Sequence, residues 1–143
     1  MDNVFVTDSL DGKVDVLIPT ADFYPMAGCA IKRSAMPADK LFRGAWRLDS
    51  INARVEEDFI GSLEISHNLR RQSREIELEP LDKIYILNIP GTNIQSIEDQ
   101  REEIRAKYRT IQTDLDACTN TQHLREVLVS YGLIGELLLN PLT

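Results

Sequence analysis

Apolar and polar residues alternate along residues 3–19. "VFV" is a short apolar run and "DSLDG" a turn. "KVDVLIP" sets Val14, Val16 and Ile18 against Lys13, Asp15 and Leu17, the period of two of a half-buried strand. Asp11-Gly12 between the two runs predicts a tight hairpin, and Pro19 ends its second strand. After the loop "TADFYPMAG", "CAIKRSA" fits a third strand, with Cys29, Ile31 and Arg33 on one face and Ala30 and Lys32 on the other. "AWRLDSINARVEE" fits a further hairpin turning near Asp49-Ser50.

From Glu56 the period changes. "EEDFIGSLEISHNLRRQSREIELE" places Ile60, Leu63 and His67 on one stripe, with acids in the first turn as a helix N-terminus favours. Pro80 is expected to end or kink that helix. "PLDKIYILNIPG" then fits either a fresh helical turn or a strand. In "SIEDQREEIRAKYRTIQTDLDAC", Ser96 is the N-cap candidate. Apolar residues fall at Ile97, Ile104, Tyr108, Ile111, Leu115 and Cys118. From Ile104 onward the steps are four, three, four, three, the heptad seam of a coiled coil or helical hairpin. Glu103 and Lys107 are spaced for a supporting ion pair, whereas Asp114 and Asp116 are expected to be solvated. "TQHLREVLVSYGLIGELLL" resumes the pattern with Leu124, Val127, Leu128, Tyr131 and Ile134, predicting an antiparallel partner joined through residues 119–121. The expected fold class is α+β. A small antiparallel β domain (residues 1–55) precedes a helical hairpin or bundle (residues 56–143), with helices near 57–79, 96–118 and 121–139.

Composition narrows the function classes. The chain has 143 residues, 43% of them hydrophobic, enough for a modest core. Its net charge of -7 disfavours nucleic acid and anionic membranes as partners. The N-terminal "MDNVFVTDSLDG" has no apolar secretion segment, and "YGLIGELLLNPL" is too short to span a bilayer, so a soluble protein made in the cytoplasm is expected. Cys29 and Cys118 lie far apart and His67 and His123 stand alone, so no metal or cofactor is expected. The glycines are scattered and form no phosphate loop. "NLRRQSR" is a local basic patch in which Arg71 and Arg74 are placed to pair with Glu75, Glu77 or Glu79, or across an interface.

The stretch "AMPADKLFRGAWRLD", followed by "EEDFIGSLEISHNLRRQSREIELEPLD", resembles a family of small proteins of tailed bacteriophages and prophages, found among tail and tail-fibre genes. Pro37, Asp39, Phe42, Arg43, Ala45 and Trp46 match its first motif. Asp58, Ile65, Arg71, Arg74, Leu81 and Asp82 match the helix that follows, and "TNTQHLREVL" is similar to its closing short helix. The resemblance covers roughly residues 30–130, and its most specific part is the FRxAW motif. Lys40 stands where the family usually has Arg, and Pro80 and "NIPGTN" fall where the family looks helical.

This likeness implies a phage context. It suggests a non-enzymatic virion component, a tail, baseplate or fibre-attachment adaptor that binds other tail or fibre proteins as a homo- or hetero-oligomer. The alternative is a tail-fibre assembly chaperone absent from the finished particle. Phe42 and Trp46 are expected to join the β piece to the helices, with Trp46 as a partner anchor the second reading. Arg43 and Arg47 beside them are placed to pair with Glu56, Glu57 or Asp58. The sites expected to act as joint or interface are Phe42, Arg43, Trp46, Arg71, Arg74, Ile104, Tyr108, Ile111 and Leu115.

Overall fold

The computed structural model describes residues 2–20, 22, 25 and 27–134. Strands β1 (Asn3–Asp8) and β2 (Val14–Leu17) form the hairpin that Asp11-Gly12 predicts. Gly12 takes a φ of 77°, open to glycine at no steric cost, and Asp11 Oδ1 accepts from the Lys13 N–H at 3.2 Å to close the turn. β3 (Cys29–Lys32) pairs antiparallel on the other side of β1, giving the order β2-β1-β3. β4 (Trp46–Asp49) and β5 (Arg54–Glu57) form a second hairpin, with Trp46 opposite Glu57 and Leu48 opposite Val55. Its turn is held by Asp49, whose carboxylate accepts from the Asn52 N–H, the Asn52 amide and Arg54.

The alternation read from the sequence decides which side chains go inside. Val4, Val6, Val14, Ile31, Met36, Trp46 and Val55 form one core cluster, with Val16, Cys29 and Leu48 packed against it. Trp46 is completely buried. The two sheets therefore share one apolar core.

Three helices follow, and the chain as a whole is α+β: α1 (Phe59–Leu87), α2 (Ile94–Asp116) and α3 (Thr121–Ser130). The chain divides into two compact units, residues 1–65 and 66–134, with α1 beginning in the first and continuing into the second. Asp58 starts α1 by accepting from the Gly61 N–H at 2.8 Å. The Asn93 and Asn120 side chains cap α2 and α3 in the same way.

Several helix expectations are corrected. α1 does not stop at residue 79; it runs through Pro80 to Leu87, so "DKIYIL" is helix and not strand. An interior proline costs about 3 kcal/mol. Ties to α2 at Glu77 before it and Asp82 after it hold the helix together. The buried stripe of α1 is Ser62, Ser66 and Arg70, while Ile60 is exposed. α2 starts at Ile94, so Ser96 is the residue that receives the cap and not the cap itself. α3 ends at Ser130, short of residue 139, and residues 135–139 lie outside the described residues.

Candidate functional site

The FRxAW motif resolves into a plug. Asp39, itself buried, accepts from the Leu41 N–H at 3.0 Å and sets the turn that delivers Phe42 inward. A short 3₁₀ turn at Arg43–Ala45 then feeds into β4. Leu41, Phe42, Ala45 and Trp46 are all buried, whereas Arg43 faces solvent. The first turns of α1 lie against this plug. The Asp58 N–H donates to the Ala45 carbonyl at 2.8 Å, and a Cβ placed on Gly61 would meet the Ala45 Cβ at 2.9 Å. Only glycine permits so close an approach. Arg47 donates to the Trp46 carbonyl at 2.9 Å, and Glu56 pairs with Arg54 two residues back along β5, not with Arg43 or Arg47.

The second unit is an antiparallel hairpin of α1 and α2 held by a ladder of polar ties. His67 meets Asp116 at 2.9 Å; Glu77 accepts from Lys107 at 2.7 Å and from the Tyr108 hydroxyl at 2.6 Å; Asp82 pairs with Arg101 at 2.8 Å. The Arg101 guanidinium also stacks over the Tyr85 ring, 4.5 Å from its centre. Lys107 thus reaches across to α1 rather than along α2 to Glu103. The two bonds, from Lys107 first, hold the Glu77 carboxyl below the usual glutamate range. Burial, reinforced by the same carboxylate, pushes the Tyr108 hydroxyl well above the ordinary tyrosine value, so it stays a donor. At the other end, Arg70 donates to His67 Nδ1 at 3.3 Å, which leaves Nε2 to carry the proton toward Asp116. Asp114 accepts from the Tyr131 hydroxyl. Asp114 and Asp116 thus each make a contact to another element, Asp116 while its side chain stays 54% exposed as expected.

The heptad seam is spent inside the chain. Tyr108, Ile111 and Leu115 are at most 1% exposed, and Leu124 and Leu128 of α3 are fully buried, while Ile104 is half-buried. Within the chain, Tyr108, Ile111 and Leu115 thus pack inward as part of the helical core, and Ile104 stays partly open. Arg71 donates to Asn68 at 2.6 Å, one turn back along α1, and Arg74 makes no ion pair among the described residues. What the sequence reading missed lies on the outer side of α1, where Ile76, Ile86 and Leu87 are exposed, and in the connection, where Ile89 is too. Their spacing straddles Pro80, and taking that proline as a helix end hid the continuity.

Among the described residues no three His, Cys, Asp or Glu side chains gather as they would around a metal ion, and no described helix is long and apolar enough to cross a membrane. No family model, no curated protein and no solved structure matches the chain.

Proposed function

We propose that the protein is a non-enzymatic structural component of a tailed-phage virion, an adaptor at the tail baseplate or fibre attachment region that works through protein–protein contacts. The observation that carries the reading is the two-faced hairpin. Its inner face is closed by its own chain, while the outer side of α1 and the hairpin tip present Ile76, Ile86, Leu87 and Ile89 to solvent. Large apolar side chains grouped near one end of the hairpin favour a macromolecular partner over a small substrate. The resemblance of "FRGAWRLD" and the helix after it to phage tail proteins supplies the context. Mass spectrometry of purified particles tests the assignment. A near-stoichiometric signal is expected for an adaptor, and a chain that is needed for infectious particles yet missing from them would replace it with the assembly chaperone.

A further inference from the structure

The outer side of α1 carries a second periodic stripe that neither the heptad seam nor the ties to α2 use. Ile76, Glu79, Lys83 and Ile86 follow one another at steps of three, four and three, so they share one side of the helix. Ile76 is 71% exposed and Ile86 78%; the side chains of Glu79 and Lys83 are 63% and 70% exposed and pair with each other at 3.0 Å. A shallow groove of about 980 Å³ is lined by these four and by Arg105 and Arg109 of α2.

The order along the stripe is apolar, acid, base, apolar. Ile76 and Ile86 stand five residues either side of Leu81, and Glu79 and Lys83 stand two residues either side. Read backwards, the stripe is its own complement. A second copy laid antiparallel, with a twofold axis level with Leu81, sets Ile76 against Ile86 and Glu79 against Lys83, and each contact occurs twice. That is the self-complementarity an isologous interface requires. The two isoleucine pairs lie about 15 Å apart along the helix, enough for two full turns of contact.

We infer that the protein forms a twofold dimer through this stripe of α1. The inference stands apart from the virion reading, because it is tested on the isolated full-length chain. Sedimentation equilibrium is expected to show concentration-dependent doubling of the 16.2 kDa mass. Glu79→Lys sets the introduced lysine against Lys83 of the second copy, and Lys83→Glu sets the introduced glutamate against Glu79. Each variant should self-associate more than about tenfold more weakly, since like charges are brought together. Mixed one to one, the two variants restore both opposite-charge contacts and should form a heterodimer, although each still lacks its own internal Glu79–Lys83 pair. Circular dichroism confirms that each variant keeps its helices. Wild-type protein that stays monomeric, single variants that dimerise as well as wild type, or a mixture that fails to associate would each overturn the inference. None of these results bears on whether the chain is present in particles, and absence from particles would leave the dimer intact.

Discussion

The two units hold themselves together by different physics. The sheet unit closes around aliphatic side chains and one fully buried indole, with its charges kept out of that cluster. The hairpin unit keeps an apolar seam on α2, but its register against α1 is written in ion pairs and hydrogen bonds at Glu77, Asp82, His67 and their partners. Apolar burial responds little to pH or moderate salt and steeply to lost volume. Partly exposed polar ties are weak singly, count only as a ladder, and are open to screening. A β unit of this kind tolerates a changed medium and not a changed core; the hairpin is the reverse along its polar edge.

The contrast can be broken most forcefully from the core side. Trp46→Ala should cost about 3–5 kcal/mol in chemical denaturation followed by circular dichroism. An effect under about 1 kcal/mol would mean that the sheet core does not depend on its plug. In the other unit, Ile111→Asp puts an unpaired charge at a fully buried position and should cost roughly 3–5 kcal/mol, read as lost helical signal at a fixed denaturant concentration. Unchanged melting would show the seam to be open to water.

A steric test is smaller. Gly61→Val should destabilise by about 1–3 kcal/mol, because its side chain has no room beside Ala45. Gly91→Val sits in open space but at a φ of 86°, so it should show backbone strain without a clash.

The polar ladder gives the smallest and most diagnostic effect. Glu77 has its pKa lowered by folding, so its contribution is fully present above the ordinary glutamate value and is lost as pH falls through that value toward the depressed one. Glu77→Gln should cost about 1 kcal/mol at neutral pH, the charged hydrogen bond being discounted because the side chain is more than a third exposed. The variant should also flatten the acid limb of a stability–pH curve. An acid limb identical to wild type would place the sensitivity on other carboxylates. Raising salt should weaken the hairpin and leave the Trp46 environment unchanged.

Much of the fold was legible because the signals were local and of one kind. Asp11-Gly12 announced a hairpin, the four-three spacing from Ile104 announced a buried seam, and the size of Phe42 and Trp46 announced burial. The misreadings came where tertiary contact outweighed local preference. Pro80 is a helix breaker by itself, yet the ties at Glu77 and Asp82 carry α1 across it. Apolar spacing points to a stripe through Ile60, but close packing selects Ser62, Ser66 and the neighbouring Gly61, whose value is their smallness. Cross-helix partners such as Lys107 with Glu77 join residues far apart in sequence, and no spacing rule reports them. The outer stripe was readable in principle, since its steps are regular, but only after α1 was known to be continuous.

Pro80 has a further consequence for how the hairpin opens. Lacking an amide hydrogen, it leaves the Ile76 carbonyl without its helical bond and marks a break in the hydrogen-bonding column of a 29-residue helix. Fraying that begins at the tip, around Asn88 and Gly91, can unwind residues 81–87 and stop there, releasing the Asp82–Arg101 tie, the Glu79–Lys83 pair and the Tyr85 stack. Amide protons on the tip side of the proline should therefore exchange with deuterium as one group, well ahead of those between Ser66 and Leu78. The arm would then have a breathing end and a fixed base, with the boundary set by one imino acid.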